Sequence, residues 1–121
     1  FIPRQEQPLP ESYPLEAPPE VYERWYEEVA ECAKFQGDFS SIEWRLVPGH
    51  GWYDWSVGGE IWGLWDPPHT IYLATSYANL SWLVKHEMIH DLRQEGGHPM
   101  PLFGCAWVRP MKALDFPKQG R

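Results

Sequence analysis

No apolar run in this chain approaches the roughly 18 residues that a membrane-spanning helix needs, so no segment is expected to cross a bilayer. Positive charge is also scarce: ten Lys and Arg stand against seventeen Asp and Glu, a formal net charge of −7 at pH 7. With no basic stripe to track a phosphate backbone, nucleic acid is disfavoured as a partner. Cysteine occurs only as Cys32 and Cys105. Such an even pair reads as a disulfide in an exported protein and as two buried thiols in the cytosol, and the disulfide is the preferred reading. At 121 residues the chain holds a single domain. It starts on Phe1 rather than Met, which reads as a processed or truncated chain with an export signal or lipid anchor expected upstream.

Proline and tryptophan, by contrast, are plentiful. Pro3, Pro8, Pro10, Pro14, Pro18 and Pro19 mark residues 1–19 as an extended arm or linker, suited to tethering the domain over residues 20–121. A helix is expected from Pro19 and Glu20 to about Phe35, with Val21, Trp25, Val29, Cys32 and Ala33 on its apolar stripe and Gly37 ending it. Four strands are expected next, at residues 42–47, 51–57, 60–65 and 69–74, with Pro48-Gly49, Gly58-Gly59 and Asp66-Pro67-Pro68 as turns. Ser76 or Asn79 can cap the helix that follows. Helix, strands, helix and irregular C-terminal tail make an α+β domain.

The second helix carries the chemistry. It contains His86-Glu87-Met88-Ile89-His90, two histidines four apart with a glutamate directly after the first. On an α-helix both imidazoles share one face and can reach a single metal ion, while Glu87 lies about 100° round, off the ligand line. Leu80, Leu83, Val84, Met88, Ile89 and Leu92 make the helix apolar nearly all round. It should therefore be buried, and buried histidines and a buried glutamate are costly unless paired or metal-bound. Zinc suits such a site, with neutral nitrogen ligands and an open position for water.

A third ligand must come from Asp91, Glu95, His98 or Cys105. The 100° step puts Asp91 and Glu95 on the far side of the helix from the histidines. Gly96-Gly97 followed by Pro99 should break the helix and turn His98 back towards the metal. His98 is the expected ligand. His50 and His69 read as surface residues.

His86-Glu87-x-x-His90 resembles the active-site helix of the zincin metallopeptidases, and the strand-strand-helix order over residues 57–98 is similar to theirs. The resemblance implies a backing helix, a small, mostly antiparallel sheet of about four strands and a central active-site helix. Residues 60–65 would be the edge strand bordering the cleft and 69–74 the strand beside it. An extended peptide could add itself to that edge, with Gly59 and Gly63 allowing close approach. The implied activity is hydrolysis of a peptide or protein substrate by a zinc-activated water, with Glu87 as general base and His86, His90 and His98 as ligands. Tyr53, Tyr72, Tyr77, His69 and Arg109 are the choices for a proton donor or oxyanion stabiliser. The subgroup stays open: Arg93 stands where metzincins have glycine, and no glutamate follows Glu95 to serve as the late ligand of gluzincins.

Other classes fit less well. Peptide deformylases share the motif, but their third ligand is a cysteine in a Gly-Cys-Leu setting that this chain lacks. Histidine-rich endoribonucleases conflict with the acidic charge. The remaining alternative is a binding module in which Trp44, Trp52, Trp55, Trp62 and Trp65 form a sugar- or peptide-stacking face and any zinc is structural or degenerate.

Overall fold

The computed structural model describes residues 7–107. Its first helix, α1 (Glu20–Ala33), opens after Pro19, whose φ of −55° already suits a helix entry. Lys34 closes it in the left-handed conformation, φ 65°, with its N–H returned to Ala30. The helix thus stops short of Phe35, and Gly37 is not what ends it. Gly37 instead gives room to Tyr26 and Leu92: a Cβ there would lie 2.7 Å from Leu92 Cδ2. The buried stripe is Tyr22, Tyr26 and Val29, rotated by about one residue from the expected one. Trp25 is left half-buried and Cys32 exposed, because the tyrosine rings reach deeper and find aromatic partners. Tyr22 meets Trp44 at 4.7 Å and Tyr26 meets Phe39 at 5.6 Å between ring centroids.

The described residues form six strands, in chain order β1 (Tyr13–Pro14), β2 (Glu43–Val47), β3 (Trp52–Asp54), β4 (Gly59–Ile61), β5 (Gly63–Asp66) and β6 (Thr70–Ala74). Four make one sheet in the order β1-β2-β6-β5, with β3 and β4 forming a separate hairpin. In the sheet β1–β2 and β5–β6 are antiparallel and the central β2–β6 pair is parallel. The first strand comes from the proline-rich segment. Tyr13 and Pro14 pair with Leu46 and Arg45, Leu15 N–H donates to the Trp44 carbonyl at 2.9 Å, and Arg45 Nε donates to Ser12 Oγ at 2.6 Å.

The expected strand over residues 60–65 is two strands in two sheets, parted at Trp62. Its carbonyl accepts from Ala74 N–H at 2.9 Å, which opens the β5–β6 ladder, and its ring stacks on Tyr77 at 4.2 Å. The expected strand over 51–57 is also shorter. The Asp54 carboxylate draws in the N–H groups of Ser56 and Val57 at 2.9 and 3.3 Å and turns the chain before Gly58.

Helix α2 (Ser81–Arg93) lies against β5, β6 and α1. Leu80 is its N-cap and makes no side-chain cap, so neither Ser76 nor Asn79 has the capping role. Every residue from Trp82 to Leu92 is buried. Lys85, its side chain 2% exposed, reaches Glu28 of α1 at 2.7 Å. A 3-10 stretch, Leu102–Trp107, covers another side of α2, with Trp107 stacked on Trp82 at 5.6 Å. Cys105 in this stretch is disulfide-bonded to Cys32 of α1, Cα atoms 5.8 Å apart. No helix among the described residues is long and apolar enough to cross a membrane.

The crosslink closes a loop of 73 residues, worth about 4 kcal/mol through lost chain entropy of the unfolded state. Alkylation of the denatured protein without reductant should therefore modify no cysteine. Equilibrium denaturation after reduction should show a loss of about that size. Two alkylated thiols in the unreduced protein would contradict the bridge.

Candidate metal centre

The i,i+4 spacing of α2 stacks His86 and His90 on one face, ring centroids 5.0 Å apart. The helix ends before the glycine pair. Gln94 adopts the left-handed conformation at φ 57° and returns its N–H to the His90 carbonyl at 2.8 Å. Its side-chain amide donates to the Pro68 and Asp91 carbonyls at 2.6 and 2.8 Å. Gly97, at φ 78°, then completes the reversal. His98 is brought back over the histidine pair, and one nitrogen from each of His86, His90 and His98 falls within 4.8 Å of the others. His86 and His90 are buried and His98 is exposed.

The tautomer of His90 follows from its neighbours. Nδ1 lies 3.0 Å from the Glu95 carbonyl, which can only accept, so Nδ1 carries the proton and donates. Nε2 is left with its lone pair, 3.2 Å from Nε2 of His98. Burial pushes the His90 pKa down to about 4, and burial with the nearby Arg93 charge lowers that of His98. Both rings are thus kept neutral, the form a metal requires. These three residues are close enough to hold a metal ion.

The other ligand candidates are occupied elsewhere. Asp91 accepts from Trp65 Nε1 at 3.1 Å and from His69 Nδ1 at 3.0 Å. Glu95 is 68% exposed and pairs with Arg93 at 3.0 Å, and Cys105 is in the disulfide. His69 is therefore not a bystander on the surface: with Trp65 it holds the carboxylate that follows the second histidine. Trp65 also stacks over His90, 6.1 Å between centroids and 13° between planes. His50 lies apart, bonded to Ser76 at 2.5 Å.

Glu87 is 4% exposed, and burial raises its pKa to about 8. No side chain among the described residues hydrogen-bonds it. It lies under β5, where a Cβ on Gly63 would come 3.2 Å from Glu87 Oε2 and 3.1 Å from Leu83 Cδ1. Gly63 thus sits at a close helix–sheet contact, where a side chain would oblige its neighbours to shift by a few tenths of an ångström. A groove of about 590 Å³ opens over the site, and His86, Glu87, His90 and His98 line it together with β5 and the β3–β4 hairpin. Among the described residues Tyr53, Tyr72, Tyr77 and His69 are not in its lining; Arg109 lies outside them.

Phe103 went unnoticed in the sequence. It is 4% exposed and meets all three imidazoles, centroids 4.9, 4.8 and 5.1 Å from those of His86, His90 and His98. Its place two residues before Cys105 was the available signal. The five tryptophans expected to form one stacking face are dispersed, with only Trp52 and Trp55 lining a common groove. Trp44 is buried in the core, Trp62 stacks on Tyr77, Trp65 covers His90 and Trp55 is exposed.

Comparison with protein-family models, with curated proteins and with solved structures finds no match, so the site is read from its own residues. His98→Ala should lower affinity for a divalent metal by more than about a hundredfold, beyond the usual cost of losing an outer-shell partner. Glu95→Ala should leave it within a few-fold. Titration calorimetry on the apo protein decides, and undiminished affinity in His98→Ala would remove it from the ligand set.

Proposed function

We propose that the chain is a zinc-dependent peptidase of zincin type, cutting peptide bonds at the His86, His90 and His98 centre. The observation that carries this is the convergence of one nitrogen from each of the three histidines within 4.8 Å, with those of His90 and His98 3.2 Å apart. Nitrogen ligands 2.0–2.1 Å from a tetrahedral zinc stand about 3.3 Å from one another. Three histidines leave a fourth position open, whereas a structural zinc is normally closed by four protein ligands. Bound there, zinc would supply a water of pKa about 7 and polarise a carbonyl.

The chain's own residues account for the rest. Glu87 is outside the ligand cluster but lines the same groove; a cation held by the histidines would favour its ionised form, and the carboxylate can then take a proton from water and pass it to the leaving amine. The Nδ1–H bond from His90 to the Glu95 carbonyl orients that ring. Among the described residues strand β5 ends the sheet, and that edge can pair with an extended substrate. The disulfide suits an exported or cell-envelope protein, in which the N-terminal arm would serve as tether.

A second reading is favoured by one observation. Leu9, Tyr13, Tyr53 and Trp55 are exposed around a separate groove of about 600 Å³, as a peptide- or carbohydrate-binding surface would require. On that reading the metal is structural.

Glu87→Gln separates the two. A peptidase should keep its zinc and its fold in this variant yet turn over an unstructured peptide at least about a hundredfold more slowly, the scale of a lost general base. Acetohydroxamate should bind the zinc-loaded wild type through the open position. Zinc-loaded protein that neither cleaves peptides nor binds the hydroxamate would end the peptidase reading.

A further inference from the structure

The groove over the histidines has a wall that the four-stranded sheet does not supply. Ser56, Val57 and Ile61 of the β3–β4 hairpin line it together with His86, Glu87 and His98. Val57 leaves 57% of its surface open, although it is apolar and sits at a groove. The hairpin is a ladder of only three residue pairs, and an isolated two-stranded ladder is marginal in water.

Asp54 holds the turn from within. It is 2% exposed, and its Oδ1 accepts from Ser56 N–H at 2.9 Å, Ser56 Oγ at 2.6 Å and Val57 N–H at 3.3 Å. Its carbonyl accepts from Gly58 N–H at 2.8 Å. Gln7 holds the turn from outside, 47 residues earlier in the chain. Its Nε2 faces Asp54 Oδ1 at 3.4 Å, and its Oε1 accepts from Trp55 N–H at 2.7 Å. Both ends of one amide thus engage one hairpin, each in its proper sense as donor and acceptor. Gln7 is 9% exposed, although Pro8, Leu9 and Pro10 beside it are not buried. Burying a primary amide is costly unless both ends are satisfied, so its placement is specific.

We propose that the β3–β4 hairpin is the specificity-determining wall of the groove, with Val57 touching a side chain of the bound peptide, and that Gln7 of the N-terminal arm positions this wall. The assignment of Val57 rests on the peptidase reading; the assignment of Gln7 does not. The arm is then part of the binding unit, and whatever displaces residues near Gln7 loosens the wall without touching a metal ligand. Val57 selects for apolar side chains, which gain by covering its exposed surface.

Two measurements on the full chain test this. Hydrogen exchange reads the amides of Ser56, Val57 and Gly58, which bond to Asp54 and not to Gln7. Gln7→Ala should speed their exchange at least tenfold while leaving β2 and β6 protected; unchanged exchange overturns the role of Gln7. If β2 and β6 open as well, the arm acts on the whole sheet and the specific pinning is overturned too. In the zinc-loaded protein, a hydroxamate bearing an isobutyl side chain should bind Val57→Ala and Gln7→Ala at least fivefold more weakly than wild type. Acetohydroxamate should bind all three alike. Equal losses for both compounds, or none, overturn the wall. Failure of wild type to bind either hydroxamate defeats the peptidase reading and the Val57 contact with it, while the exchange result still decides Gln7.

Discussion

Helix α2 is buried along Trp82–Leu92, and Lys85, His86, Glu87, His90 and Asp91 within that span are polar or ionisable. A helix covered on every side leaves such groups little water, and the rest of the chain brings partners to Lys85, Asp91 and His90. Lys85 is met by Glu28 from α1. Asp91 is met by Trp65 of β5 and by His69 from the turn before β6. His90 is met by the Glu95 carbonyl just past the helix. The backing helix, the edge strand and the C-terminal turn are therefore each tied to α2 by a polar contact as well as by packing. Breaking one of those contacts by removing one partner would strand the other in the interior, which costs more than the contact itself contributes.

The second constraint is space. Glu87 and Leu83 stand so close to β5 that position 63 admits no side chain without a shift. That closeness sets the carboxylate against β5, the end strand of the described sheet. The break at Trp62 lies just before it. A strand continuing straight through residues 60–65 would keep Gly59–Ile61 in the main sheet; the switch at Trp62 frees them to form the hairpin, and a small domain gains a second wall.

Local spacing made the histidine cluster legible. His86 and His90 are related by one helical turn, and the reversal after the helix is written in Gly96-Gly97, although Gln94 makes the first part of the bend. The helix–strand–helix order was legible for the same reason. What depends on distant partners was not. The run Ile61-Trp62-Gly63-Leu64-Trp65 contains no charge and no proline, so nothing local signals that the two flanks of Trp62 belong to different sheets. The stripe of α1 is decided by which aromatic rings meet Trp44 and Phe39, and not by spacing alone. Phe103 and Gln7 take their importance from residues far away in the chain, one under three imidazoles and the other against Asp54. Proline-rich surroundings gave Gln7 the look of linker.

Glu87 differs from the other polar residues of α2. Lys85 and Asp91 have opposite or hydrogen-bonding partners within the fold, yet no described side chain hydrogen-bonds Glu87, and burial alone accounts for its raised pKa. An apolar residue of similar shape would spare the fold that desolvation cost. Groups placed against the interest of stability concentrate where a protein does its chemistry. On the same helix Lys85, His90 and Asp91 have partners within the fold, while this carboxylate faces a groove beside three imidazoles. A purely structural metal would gain nothing from that carboxylate, since it lies outside the ligand cluster. A hydrolytic centre needs a base at that place, within reach of the groove and off the ligand line.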